Sequence, residues 1–242
     1  MNKGNLYIWG WWQGNNLGDN WIKKVLSYHF PMAVFIDTRV KKFEKDSFVI
    51  CGGGGLFIYD VISPWDNIQQ NISYGMLGIG AEFPHETNLA RECCDKAKFF
   101  YVRDQYSLDC MNLENIERSY DLTFSKPIYW AVKNDVNFKK AFFVWRDGHE
   151  LLNNVKFSKY ICNGSSYSEW KNVIDKKFDL IVEDDFQTRD DNIDERIADA
   201  GFVISGRYHG IVAAIQRGIP FIAIDICPKI RALINECDLE EY

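Results

Sequence analysis

The sequence predicts an α/β fold built as two Rossmann-like lobes that face one cleft. Three observations carry the prediction. Apolar runs of strand length alternate with stretches whose apolar residues recur at helical spacing. Those runs are apolar throughout, the pattern of parallel strands covered on both faces. The rhythm then breaks over a polar stretch with Pro127 and Asn134 to Asn137, and restarts. The boundary is placed near residues 125–137, giving lobes at 1–130 and 131–242. A chain of 242 residues, 47% hydrophobic and 26% charged, has enough apolar side chains for two cores.

In the first lobe, Leu6 to Trp9 reads as a strand, followed by a glycine-rich loop. A helix starts near Asp19 and carries Trp21, Ile22, Val25 and Leu26 on one face. Ala33 to Ile36 and Ser47 to Cys51 are the next strands, the latter ending in Gly52 to Gly55. Tyr74 to Gly78 and Phe99 to Val102 follow, with a helix over Glu86 to Lys98 between them. In the second lobe the strands are Lys140 to Trp145, Val155 to Cys162, Phe178 to Val182, Gly201 to Ile204 and Phe221 to Ile224. Helices fit Glu169 to Lys176, Ile193 to Ala200, Tyr208 to Arg217 and Lys229 to Cys237.

Composition excludes several functions. A net charge of −6 argues against a broad nucleic-acid surface, which needs phosphate-neutralising cations. No apolar run approaches the ~20 residues of a membrane-spanning helix. The first residues have no signal-peptide profile, so the expected location is cytoplasmic. Seven cysteines cannot all pair internally, and none form a C-x-x-C; reduced structural thiols are expected. The four histidines lack metal-ligand spacing, so a protein-only metal site is not expected; no cofactor is expected either.

Ligands of parallel α/β sheets sit beyond the carboxyl ends of the strands. Four unusual segments lie at such ends. Gly10 to Asn20 joins a strand to a helix start but is neither G-x-G-x-x-G nor a Walker A loop. Its Asp19 reads either as an N-cap or as a carboxylate that takes a proton from a hydroxyl. Gly52 to Gly55 reads as close backbone approach to a ligand or as a crowded packing point. Arg103 directly follows a strand, as a ligand-facing cation or as part of a structural Arg103–Asp104 cap. In Ser205-Gly206-Arg207-Tyr208-His209-Gly210, a cation and a titratable group flank a helix start, a natural anion site. Lys229 is a further cation after the last strand. Exposed Trp11, Trp12 and Trp65 suit stacking on sugar faces or contact with a membrane surface.

Taken in order, Gly14-x-Asn16-x-Gly18-Asp19, the four-glycine run, Val102-Arg103-Asp104-x-x-Ser107, Asp121, Ser205-x-Arg207-x-His209-Gly210, Gly218-x-Pro220 and Lys229 resemble the polysaccharide pyruvyl transferase family. The resemblance runs from Trp9 to about Leu233, and the Arg-x-His-Gly segment is its most specific part. It implies a two-lobed GT-B-like protein that moves the pyruvyl group of phosphoenolpyruvate onto a sugar of a cell-surface polysaccharide or its precursor. The product would be a pyruvate ketal, with phosphate released. His209, Arg207 and Asp19 are then the expected catalytic residues. Arg103, Lys229, Asn16, Gly53, Gly54, Ser205 and Gly210 are the expected substrate contacts. The expected partners are phosphoenolpyruvate and a saccharide acceptor, free or lipid-linked; a lipid-linked one would bring the protein to the inner membrane face. The alternatives are a GT-B glycosyltransferase using a nucleotide sugar, and a carbohydrate-binding protein without catalysis.

Overall fold

Strands with apolar side chains on both faces need covering on both faces, and two fully parallel sheets result. The computed structural model describes residues 5–40, 43–57, 72–81, 92, 94–125, 137–145, 167–184, 186, 193–225 and 227–239. The chain divides into two compact units, Met1–Gly14 with Gly18–Lys126, and Asn15–Leu17 with Pro127–Tyr242.

The first unit holds β1 (Leu6–Gly10), α1 (Leu17–His29), β2 (Val34–Asp37), β3 (Phe48–Phe57), β4 (Ser73–Ala81), β5 (Phe100–Val102), α2 (Gln105–Met111) and β6 (Glu117–Arg118). Its strands pair in parallel in the order β2-β1-β3-β4-β5-β6. Side chains alternate across the sheet. Trp9, Val49, Cys51, Met76 and Val102 enter one core cluster, while Ile8 and Ile50 enter another with Ile22 and Leu26 of α1. Each fully buried aliphatic side chain contributes about 1.5–3 kcal/mol. The four apolar residues expected on the inner face of α1 are all buried.

The second unit holds β7 (Lys140–Val144), α3 (Tyr167–Ile174), β8 (Leu180–Asp184), α4 (Ile193–Ala198), β9 (Phe202–Ser205), α5 (Tyr208–Arg217), β10 (Phe221–Ala223) and α6 (Pro228–Glu236). Its sheet is parallel in the order β10-β9-β7-β8. β7 is central, and Ala141, Phe142, Phe143 and Val144 are wholly buried. Gly218 ends α5 in the left-handed conformation (φ 61°), its N–H returning to the Ala214 and Ile215 carbonyls.

Both sheets reverse direction in the same way. From the first strand of the unit, the chain goes to one side for the second strand and crosses to the other for the third. The switch points therefore lie between β1 and β3 and between β7 and β9, where connections diverge and leave a crevice at the carboxyl ends.

Several expectations need correction. β3 does not stop at Cys51. It continues through the glycines to Phe57, with a register shift against β4 between Gly54 and Phe57. α2 and the two-residue edge strand β6 were not foreseen. The strand expected at Val155 to Cys162, and most of the helix expected from Glu86, lie outside the described residues.

Candidate functional site

At the first switch point, α1 begins directly over the glycines of β3. A Cβ at Gly52 would lie 2.6 Å from a Leu26 methyl, and one at Gly53 2.4 Å from an Ile22 methyl. A Cβ at Gly54 would lie 2.8 Å from the Asp19 Oδ1. Gly53 and Gly54 also have φ of 66° and 76°, which L side chains rarely adopt. These glycines seat α1 on the sheet and bring the Asp19 carboxylate, in the first turn of α1, against the backbone of β3. Two further glycines of the region, Gly10 and Gly14, serve the tryptophans. The Trp12 ring lies over Gly10, and the Trp11 indole lies against Gly14. Trp12 is buried, with Nε1–H donating to the Ile8 carbonyl at 3.2 Å, so it offers no stacking surface. Trp11 is 44% exposed. Trp65 lies outside the described residues.

Arg103 leaves the end of β5 and is 3% exposed, laid across Gly80, where a Cβ would come within 2.4 Å of its Cζ. Its Nε donates to Asp104 Oδ2 at 2.9 Å, and a terminal nitrogen is 3.8 Å from Asp121 Oδ2. Asp104 also caps α2, accepting the Ser107 N–H at 2.6 Å. The Ser107 hydroxyl in turn accepts the Ala81 N–H at 2.9 Å, tying α2 to the end of β4. Asp121 accepts the N–H and hydroxyl of Thr123. The structural role weighed for Arg103 and Asp104 is thus present. Asp121, a member of the family pattern, is the second carboxylate neighbour of Arg103.

At the second switch point, Ser205 ends β9 opposite Val144 of β7. Its buried hydroxyl donates to the Arg207 carbonyl at 2.9 Å and accepts the Arg207 N–H at 3.0 Å. That clamp makes Ser205 a positioning residue for the turn. The Gly206 N–H reaches the Val144 carbonyl at 2.9 Å, extending the ladder by one residue. Arg207 is the N-cap of α5, with extended backbone and no side-chain capping bond. His209 is in the first turn, half-buried, its ring edge-on to Tyr208 at 5.3 Å. Gly210 lets the turn sit on the sheet, since a Cβ there would lie 2.2 Å from Ser205 Oγ. The first turn of α5 contains no acidic residue, so the positive end of its dipole, Arg207 and His209 act in one direction, toward an anion.

Lys229 follows Pro228 in the first turn of α6 and is part-buried. Asp225, just before it, is paired with Arg231, whose Nε donates at 2.8 Å. Asn16 belongs to the short Asn15–Leu17 segment that groups with the second unit.

Among the described residues, no group of three His, Cys, Asp or Glu side chains is placed to hold a metal ion. No helix among them is long and apolar enough to cross a membrane. Burial pushes the Cys110 thiol up to about 11, with Asp104 and Asp109 adding to the shift and a Tyr106 hydrogen bond opposing it. Burial also raises Cys94 and Cys237. These thiols stay protonated at neutral pH, a poor state for a nucleophile.

Comparison with known proteins agrees with this layout. No match was found among curated proteins. Among solved structures, a functionally uncharacterised protein from Klebsiella pneumoniae is similar in fold, with a TM-score of 0.60 at 16% identity over 99% of this chain and 90% of that one. The family model for polysaccharide pyruvyl transferase matches residues 16–228. That span covers most of the chain and includes both switch-point clusters, and on it the chain belongs to the polysaccharide pyruvyl transferase family.

Proposed function

We propose that the protein transfers the pyruvyl group of phosphoenolpyruvate to a saccharide of a cell-surface polysaccharide or its precursor, forming a ketal and releasing phosphate. The carrying observation is the second switch point: Arg207, its backbone held by the Ser205 clamp, and His209 in the first turn, at a helix start free of acidic residues. The family match supports the transfer and the saccharide acceptor. In this reading the two units are the lobes of a GT-B-like protein, at 1–130 and 131–242, that close on one cleft.

Phosphoenolpyruvate carries about three negative charges near neutral pH, from its carboxylate and phosphate. Arg207 binds one of these groups through its planar fork, and Lys229 adds a point charge. Arg103 is the third cation of this reading. It already faces two carboxylates, so its contact with the donor requires the longer one, to Asp121, to give way. His209, protonated, donates its proton to the methylene carbon, which becomes the methyl group, and C2 becomes electrophilic. A sugar hydroxyl adds to C2, losing its proton to Asp19 or to the now neutral His209. The C2–O bond to phosphate then breaks, and a second hydroxyl adds to C2 and loses its proton, closing the ketal. Two hydroxyls and one phosphoenolpyruvate give one ketal and one phosphate. A lipid-linked acceptor would hold the protein at the inner face of the membrane from the cytoplasmic side.

The test is calorimetric titration with phosphoenolpyruvate against UDP-, GDP- and CMP-sugars. Binding of phosphoenolpyruvate that weakens with salt is expected, because charge pairs are screened. Tighter binding of a nucleotide sugar would replace this reading with glycosyl transfer.

A further inference from the structure

The carboxyl edge of β1 and β2 carries a second group of polar and aromatic side chains, chemically opposite to the cationic turn of α5. Gly10 and Asp37 are register partners at the ends of these strands. The Thr38 N–H donates to the Gly10 carbonyl at 3.1 Å, holding the two exits side by side. Trp11 leaves one exit, 44% exposed, its indole steadied against Gly14. Asp37 ends the other, 6% exposed. Its Oδ1 accepts the Arg39 N–H at 3.2 Å and the Arg39 Nε–H at 2.6 Å. Its Oδ2 is buried and has no hydrogen-bond donor among the described residues.

A buried carboxylate oxygen without a donor is costly, and such groups call for a specific explanation. The donor it lacks must be compatible with its charge. An anion such as phosphoenolpyruvate would be repelled, whereas a neutral hydroxyl donates to it readily. The exposed Trp11 indole, leaving the neighbouring strand exit, offers an apolar face to the C–H side of a ring. A dinucleotide fits poorly, because the Trp12 and Trp11 rings occupy the space that Gly10 and Gly14 would otherwise open to a pyrophosphate. Arg39 is the movable neighbour of the Asp37 carboxylate, bonded to Oδ1. Its side chain is 64% exposed, and an ion pair with one such partner has little net strength to hold it in place.

We infer that Trp11 and Asp37 form the acceptor subsite: a sugar ring packs on the Trp11 indole and donates a hydroxyl to Asp37 Oδ2 as Arg39 swings aside. This deepens the proposed function and rests on it for the identity of that ring as the pyruvyl acceptor. Asp37 and Trp11 bind the ring and take no part in proton transfer.

The experiment is saturation-transfer NMR on the full chain without donor, using the methyl glycosides of galactose, glucose and N-acetylmannosamine, with adenosine monophosphate as the competing probe. The wild type is expected to bind at least one glycoside more tightly than the nucleotide. Trp11→Ala should weaken that binding roughly three- to tenfold, and Trp11→Tyr should restore most of it. Asp37→Asn should weaken it by about tenfold, the scale of a charged hydrogen bond. Phosphoenolpyruvate affinity, measured separately by calorimetry, should not move in Trp11→Tyr or Asp37→Asn. The inference is overturned by a wild type that binds no glycoside at millimolar concentration, by preference for the nucleotide, or by variants with unchanged glycoside affinity. Glycoside binding that follows these variants while phosphoenolpyruvate yields no phosphate would instead overturn the proposed reaction and leave the subsite standing.

Discussion

Gly210→Ala isolates the contact that aims the cationic turn. In an isolated helix the change is favourable by about 1 kcal/mol, because alanine orders at lower entropic cost than glycine. Here the new methyl would lie 2.2 Å from Ser205 Oγ and 3.0 Å from Ser205 Cβ, with Val144 Cβ at 3.4 Å behind them. Overpacking of this kind costs about 1–3 kcal/mol. Displacing the Ser205 hydroxyl also removes its two bonds to Arg207, at about 0.5–1.5 kcal/mol each. The net expectation is a loss of about 1–5 kcal/mol, centred near 3, read as a shift in the urea midpoint at unchanged slope. The same clash moves Arg207 and His209, so phosphoenolpyruvate affinity should fall with it. Ser205→Gly in the Gly210→Ala background removes both close atoms, so the double variant should be less destabilised than the singles predict, by at least about 0.5 kcal/mol. Strict additivity, or a Gly210→Ala protein as stable as the wild type, would show that the Ser205 clamp does not set the turn.

Three further outcomes are expected. Asp104→Ala leaves the buried Arg103 without its nearer carboxylate and α2 without its cap, a loss of about 3–5 kcal/mol in chemical unfolding; Asp104→Asn should recover only the capping part. The Cys110 thiol, raised to about 11 by burial, favours the folded state fully below its unfolded value of 9.0 and loses that contribution as pH rises toward 11, since the unfolded chain then holds fewer protons; melting temperatures should fall more steeply across that window for the wild type than for Cys110→Ala. His209→Gln should cut turnover by roughly 10²–10⁴-fold while phosphoenolpyruvate still binds, whereas Arg207→Ala should weaken donor binding by about 1.5–3 kcal/mol. Equal loss of binding in both variants would make His209 another anion ligand and pass the proton to Asp19.

Legibility followed the range of the interaction. β7 and β9 were readable because Ala141 to Val144 and Val203 to Ser205 are buried on both faces, and burial on both faces prints a continuous apolar run. β6 was not, because Glu117 and Arg118 are exposed and pair only at a sheet edge. The continuation of β3 through its glycines was hidden because glycine is depleted in strands, and only the packing of Leu26, Ile22 and Asp19 against the run explains it. α2 had a local signal in Asp104-x-x-Ser107, the spacing at which the aspartate accepts the Ser107 N–H. The cationic turn was legible because its parts are consecutive at a strand end. The Asp121 neighbour of Arg103 and the pairing of Gly10 with Asp37 join residues far apart in the chain, and no local pattern announces either. Nor did the sequence separate Trp11 from Trp12; the second is buried because Gly10 leaves room for its ring.

The central claim is pyruvyl transfer carried by the Arg207–His209 turn. Its most direct test is phosphate release from phosphoenolpyruvate by the wild-type chain, assayed across galactose-, glucose- and N-acetylmannosamine-containing acceptors, with the product examined for new ketal carbons by NMR. Acceptor-dependent phosphate release matched by one ketal per phosphate, and lost in His209→Gln, is the predicted result. Phosphate release without an acceptor-bound ketal, or the same rate in His209→Gln, would contradict it.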